Sequence, residues 1–350
     1  MSSANLALHM EALHGALNSN LQKVQEPLCK PRPQDYYCIS SGNSWQPARA
    51  DRLPASNSSL PALHNRNIRL ISWNIDVLIP FAEERMGAAL DYLNEVVSST
   101  PPNTAIIILF QEMGASDMRQ IRERLWVKER FHLTDMDGKN WPESYYGTTM
   151  LVDRRLKIDS VFRVPWYSKF GRDGLFVDIR LSNKVDPHAA NNKLRVCNTH
   201  LESLVADPPI RPMQLATASK YLSQSDVSCG IVAGDFNAIQ PFDQTLHLEN
   251  NLRDAYLECG GSEDSEQGNT WGYQSPLAVR ERFPCRRMDK VFCRGSIQAT
   301  DFSRIGIDVK VAEEHREMMR EAGSLEWVTD HYGIMADFTL LGDGELSEAG

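Results

Sequence analysis

The chain has 350 residues, a hydrophobic fraction of 42% and a formal net charge of −9 at pH 7. That length holds one large domain or two ordinary ones, and the acidic balance excludes non-specific coating of nucleic acid, which needs Lys and Arg to neutralise phosphates. A mean hydropathy of −0.39 suits a soluble protein, no apolar run approaches the ~20 residues that span a bilayer, and the start lacks the basic and apolar regions of a secretory signal, so no stable membrane association is expected.

In chain order, Leu6, Met10, Leu13, Leu17, Leu21 and Val24 recur at helical spacing and predict a short amphipathic helix over Asn5 to Val24. From Pro27 to about Asn65 the chain turns to Pro, Ser, Asn and Arg and reads as a linker with little fixed structure. Residues 1–66 are thus expected to precede a compact domain over 67–342, with a flexible tail over 343–350. An apolar run from Ile68 to Trp73 stops at Asn74 and leads into a predicted helix from Pro80 to Ser99. A second run from Ala105 to Phe110 stops at Gln111-Glu112, before a predicted helix over Ser116 to Arg130. Tyr145 to Val152, Ser160 to Val164, Leu175 to Leu181 and Leu194 to Thr199 then read as consecutive strands, the last ending at His200.

The second half predicts a helix across Pro212 to Leu222, a strand from Gly230 that ends at Asp235-Phe236-Asn237, a helix near Asn250 to Glu258, and strands at Met288 to Phe292, Ile297 to Ile305 and Gly333 to Leu340. Val328-Thr329 runs into Asp330-His331. Two halves of mixed strand and helix suggest an α/β protein with two sheets packed face to face and helices outside. Seven cysteines include no C-x-x-C pair, and Cys197 and Cys229 fall in or beside predicted core strands, so reduced thiols and an intracellular setting, nucleus or cytoplasm, are expected.

Five apolar runs therefore finish in metal-ligand or acid/base residue types, and ligands of open α/β sheets bind outside strand ends. These endings supply Asn74, Glu112, His200, Asp235, Asn237, Asp330 and His331, and the Met288 to Phe292 strand adds Asp289. Oxygen ligands without cysteine point to a hard ion, Mg²⁺ or Mn²⁺, whose natural partner is a phosphate ester. In this reading Glu112 and Asn74 hold the ion, and Asp330 contacts a metal-bound water. Asp235, aligned by Asn237, deprotonates the attacking water, His331 and His200 stabilise the transferring phosphoryl group, and Asp289 orients His331. Each residue alone has a plainer reading: Glu112 as a helix-start acid, His200 as a core histidine, Asp289 in a surface ion pair with Arg287 or Lys290, Asp330-His331 as a turn. Arg280, Arg282, Arg286 and Arg287 read equally as a solvated face or a phosphate-facing patch.

Ser72-Trp73-Asn74-Ile75-Asp76, Phe110-Gln111-Glu112, Thr199-His200-Leu201-Glu202-Ser203, Gly234-Asp235-Phe236-Asn237, Arg287-Met288-Asp289-Lys290 and Thr329-Asp330-His331-Tyr332-Gly333 occur in the order typical of the endonuclease/exonuclease/phosphatase (DNase I-like) superfamily. The resemblance spans roughly Asn67 to Leu341 and implies a four-layer α/β sandwich and a Mg²⁺-dependent phosphoesterase with the roles above. Within the superfamily the chain looks most similar to the 5′-tyrosyl-DNA phosphodiesterases, on Trp-Asn-Ile-Asp, His-Leu-Glu-Ser followed by Arg211-Pro212-Met213-Gln214-Leu215, and Asn269-Thr270-Trp271. That implies repair of topoisomerase adducts at DNA 5′ ends, single-stranded near the end, with Trp271, Asn237 and His200 contacting substrate. Ile239 stands where those enzymes carry a phosphate-binding arginine. An abasic endonuclease, an inositol-phosphate phosphatase, a sphingomyelinase and a non-catalytic scaffold are the competing readings.

Overall fold

The computed structural model describes residues 29–40, 42–48, 66–143, 145–181 and 193–341. The predicted helix over Asn5 to Val24 and the tail over 343–350 lie outside the described residues. The elements in chain order are β1 (Arg32–Gln34), β2 (Tyr36–Ile39), β3 (Trp45–Ala48), β4 (Asn67–Asn74), α1 (Ala82–Ser99), β5 (Ala105–Met113), α2 (Ala115–Glu123), α3 (Leu125–Arg130), β6 (Phe131–Leu133), β7 (Gly147–Asp153), β8 (Lys157–Pro165), β9 (Asp173–Arg180) and β10 (Lys193–His200). They continue with α4 (Arg211–Leu222), β11 (Cys229–Asp235), α5 (Leu246–Glu249), β12 (Arg253–Asp254), α6 (Ala255–Glu258), α7 (Leu277–Arg282), β13 (Asp289–Gly295), β14 (Ile297–Ile305), α8 (Glu313–Glu321) and β15 (Gly333–Leu340).

The strands form a seven-stranded sheet, β1-β8-β9-β10-β11-β13-β12, and an eight-stranded sheet, β14-β15-β4-β5-β7-β6-β2-β3. Each has one parallel pair, β10 with β11 and β4 with β5. A parallel pair needs a long crossover, and α4 and α1 supply it. The molecule thus sets two β-α-β units back to back, with the C-terminal ends of four strands at one end.

Period-two alternation assigns the layers. Leu70, Ile107, Leu109, Val196, Ile231 and Ala233 face the space between the sheets. Their neighbours Ile71, Trp73, Ile106, Ile108 and Phe110 face out against Met86, Leu90, Leu93, Val97, Met118 and Ile121 of α1 and α2. On the other side Cys197, Val232 and Phe176 pack against Leu215, Ala218 and Leu222 of α4. This is the expected four-layer sandwich. All seven cysteines are free thiols, and among the described residues no helix is long and apolar enough to cross a membrane.

Polar residues interrupt the inner layer just below the strand ends. Gln111 Nε2 donates to Ser72 Oγ at 3.0 Å within its own sheet and to Asn198 Oδ1 at 2.8 Å across the gap. Asn198 Nδ2 donates in turn to the carbonyls of Phe110 and Thr149, each at 2.9 Å. All of these groups are buried, and the bonds pin the facing sheets to one another one turn of pleat below the strand ends.

Several expected elements differ. The stretch read as a linker from Pro27 contributes β1 to the edge of one sheet and β2 and β3 to the edge of the other. Gln34 is held there by buried Arg163, whose Nε donates to its Oε1 at 3.0 Å. The helix expected over Ser116 to Arg130 breaks at Arg124, whose extended backbone (ψ 126°) separates α2 from α3. The helix expected near Asn250 to Glu258 is instead α5, the short strand β12 and α6. Helix α7 is too short, and helix α8 too polar, to have been expected from periodicity.

Asn198→Leu leaves the Gln111 amide and two carbonyls without their partner, so the denaturant midpoint should fall by an amount equivalent to about 2–4 kcal/mol. Asp117 adds a pH dependence. Its Oδ2 accepts the Gly114 N–H at 2.8 Å, yet burial pushes its carboxyl up to about 6. A raised folded-state value favours the protonated form, so its contribution is complete below the ordinary value near 3.8 and is lost as pH rises through about 6. Asp117→Asn should therefore flatten the fall in unfolding free energy between pH 4 and 7, measured by denaturant titration at each pH.

Candidate active site

Inward alternation carries past the last apolar residues, so Asn74 at the end of β4, His200 at the end of β10, Asp235 at the end of β11 and Asp289 at the start of β13 all project into the same mouth between the sheets. The register sets three of them in one row across their sheet, His200 beside Asp235 beside Asp289. His331 enters from the segment before β15, which pairs antiparallel to β4. Glu112 follows Gln111 on β5 and would point outward in a regular strand. Its left-handed backbone (φ 54°) and the irregular β5–β7 register between Phe110 and Met113 turn it back into the mouth. Gly234 is required where it stands: at φ 143° a Cβ would lie 1.8 Å from the Thr199 carbonyl oxygen.

Asp235 is the hub. Its Oδ1 accepts the backbone N–H of Asn237 at 2.8 Å. Its Oδ2 accepts from Asn74 Nδ2 at 3.0 Å and lies 3.3 Å from His200 Nε2 and 3.8 Å from His331 Nε2. Burial works against its charge, but the two imidazoles and these donors outweigh it and hold the carboxylate below its ordinary range. His331 is the reverse case. Burial disfavours its cation, yet Asp289, whose Oδ2 lies 2.8 Å from His331 Nδ1, together with Asp235 and Asp330 raises it well above the ordinary histidine value. His200 is held well below that value by burial and by the Arg172 guanidinium. The site therefore sets a carboxylate biased toward its ionised form between one imidazole biased toward its cation and one biased toward its neutral form.

Glu112 Oε1 accepts from Asn74 Nδ2 at 3.3 Å and lies 3.8 Å from His200 Nε2. Burial raises its carboxyl against the opposing pull of Arg172 and His331, and burial with repulsion from Asp330 and Glu112 raises Asp76 well above its ordinary value. Crowded carboxylates of this kind are what a divalent cation would relieve. Ligand atoms of Glu112, His200 and Asp235 all lie within 4.8 Å of one another.

The other predicted positions differ in detail. Asn237 does not continue the strand. Its left-handed backbone (φ 47°) ends β11, its N–H rather than its side chain meets Asp235, and its Nδ2 donates to the Leu201 carbonyl at 3.1 Å. Asp330 is directed to Trp271, accepting from Nε1 at 2.6 Å, and its other oxygen is 3.8 Å from His331 Nε2. Trp271 is half-buried at the rim, paired through its backbone with Arg286 and His331. Of the arginine cluster, Arg287 is buried on Asp254 and Glu263, whereas Arg280, Arg282 and Arg286 are exposed. Asp289 is fully buried and is no surface ion pair. Sequence reasoning passed over Arg172, which lines the cleft with Glu112, Tyr146 and His200, because a lone arginine in Phe-Gly-Arg-Asp carries no acid/base or ligand pattern. It also gave no role to Asp76, although Trp-Asn-Ile-Asp contained it.

The endonuclease/exonuclease/phosphatase family model matches residues 71–331, and the chain belongs to that family. Its fold is similar to that of D. rerio TDP2 complexed with single-strand DNA product (17% identity, TM-score 0.57, covering 78% of this chain and 99% of that one). It is similar also to truncated Caenorhabditis elegans TDP2 (18%, 0.57, 78% and 97%), and to the human Nocturnin catalytic domain with bound sulfate (17%, 0.52, 79% and 94%). A comparison with curated proteins finds no match.

Asp289→Asn removes the strongest attraction acting on the His331 cation. The His331 titration midpoint, followed by NMR, should move down, so that the variant carries a neutral imidazole at a pH where the parent carries a charged one.

Proposed function

We propose that this family member is a divalent-metal-dependent phosphodiesterase acting at DNA ends, with the 5′-tyrosyl phosphodiester of a topoisomerase adduct as its substrate. The observation that carries the reading is Asp235, whose Oδ2 accepts from Asn74 Nδ2 at 3.0 Å and lies 3.3 Å from His200 Nε2 and 3.8 Å from His331 Nε2, beside Glu112.

Glu112 and Asn74 would hold the cation, with Asp76 and Asp330 as further nearby carboxylates, and a cation bound there would neutralise charge on a phosphate oxygen. Asp235 accepts a proton from the attacking water, its Oδ1 fixed by the Asn237 N–H. The oxygen–phosphorus bond forms as the bond to the tyrosyl oxygen breaks. His331 offers Nε2–H to the phosphoryl oxygens while Asp289 holds Nδ1, and His200 Nε2 faces the same space. A phenol with a pKa near 10 leaves more readily than an alkoxide, so modest protonation suffices. The half-exposed Trp271 at the rim offers a ring face for a base of a single-stranded end, and the likeness to a TDP2 structure holding single-strand DNA supports DNA as the substrate class. Action on chromosomal breaks would place the protein in the nucleus.

A 5′-phosphotyrosyl oligonucleotide with Mg²⁺ should yield free tyrosine and a 5′-phosphate, and chelation of the metal should stop the reaction. Asp235→Asn should lower kcat by about 10³-fold, in keeping with loss of a positioned general base. Faster turnover of phosphoinositides, sphingomyelin or abasic DNA would overturn the substrate assignment. Inertness toward every phosphodiester with Mg²⁺ and Mn²⁺ would favour a scaffold.

A further inference from the structure

We propose that Arg172 is a positioning residue that keeps the proton of His200 on Nε2, so that His200 is a hydrogen-bond donor into the site and is barred from ligating the metal. Arg172 is 7% exposed, and its Nη1 lies 2.6 Å from His200 Nδ1. A guanidinium has only donors, so Nδ1 must present its lone pair. A protonated Nδ1 would set donor against donor. The proton therefore resides on Nε2, the nitrogen 3.3 Å from Asp235 Oδ2 and 3.8 Å from Glu112 Oε1.

An imidazole binds a metal through a lone pair. With Nε2 protonated and Nδ1 committed to Arg172, His200 has none to offer, although its position beside Glu112 and Asp235 is that of a ligand. What is left for a cation is oxygen, which suits Mg²⁺ or Mn²⁺ and disfavours Zn²⁺ and Co²⁺.

The seat of Arg172 is built from the same short motif as the histidine. Its Nη2 donates to Ser203 Oγ at 2.8 Å, and its plane lies over the rings of Tyr146 and Phe170, each 5.4 Å from the centroid. Glu202, 1% exposed, fastens the loop that delivers it, accepting from Lys169 N at 2.9 Å and Ser168 Oγ at 2.5 Å. In His200-Leu201-Glu202-Ser203 the first residue is thus the group held, and the third and fourth hold its holder.

The proposal deepens the phosphodiesterase reading but its test is separate from turnover. In the full chain with ¹⁵N-labelled histidine, His200 should show a protonated Nε2 and an unprotonated Nδ1, and Co²⁺ should leave both resonances free of direct ligation. Arg172→Met frees Nδ1 to take the proton. Affinity for Co²⁺ relative to Mg²⁺, measured by calorimetry, should then rise about tenfold or more, the scale of other partner effects on metal ligands, and the gain should vanish in the double variant with His200→Gln. Arg172→Lys, which still donates, should keep the parent preference. A wild-type His200 protonated on Nδ1, or ligated by Co²⁺ through Nε2, would overturn the proposal, and that measurement needs no variant to fold. The Nε2–H tautomer in a protein that hydrolyses no phosphodiester would sink the proposed function and leave this inference standing.

Discussion

The hydrogen bonds of Asn198 with Gln111 and with the Phe110 and Thr149 carbonyls tie the inner faces of the two sheets together just beneath the site. Glu112 and Asn74 belong to one sheet, His200, Asp235 and Asp289 to the other. Apolar side chains between the sheets set an average separation but tolerate sliding, because dispersion contacts carry little direction. A buried amide pair joined to both sheets by directional hydrogen bonds favours one alignment. The chemistry above it inherits that alignment, which is why Asn74 of one sheet can reach Asp235 of the other at 3.0 Å.

Charge is distributed by the same economy. Two histidines, each buried and each near Asp235, differ because of what stands behind them. Asp289 behind His331 makes a cation, and Arg172 behind His200 makes a neutral ring. Burial pushes both rings toward the neutral form, Arg172 adds to that push at His200, and Asp289 overturns it at His331. The division leaves the carboxylate between them ionised, the state in which it can take up a proton.

Much of this was legible in the residues. Apolar runs ending in Asn74, His200 and Asp235 mark core strands whose inward alternation extends one position too far for a core, and the site occupies those extra positions. What could not be read was whatever depends on a backbone turn or on a distant partner. Asn237 was expected to align Asp235 with its side chain because the strand was extended by two residues, and a left-handed residue ended it instead. Glu112 lies beside Asn74 even though a regular strand would have turned it away. Arg172 has no local signature, since its role depends on a histidine 28 positions later. Strands β1 to β3 were read as linker because β1 and β3 are short, polar and proline-bearing edge strands and β2, between β6 and β3, is only four residues long.

Those three early strands alter what the domain is. β1 closes the seven-stranded sheet over β8, and β2 with β3 closes the eight-stranded sheet over β6. A chain begun at Asn67 would keep every group of the site and yet present two raw sheet margins, each a row of unmet N–H and C=O groups open to pairing with another molecule. Arg163 would lose the Gln34 oxygen at the same stroke. Shortening from the front would therefore show itself first as self-association and precipitation, in a protein whose chemistry had not been touched.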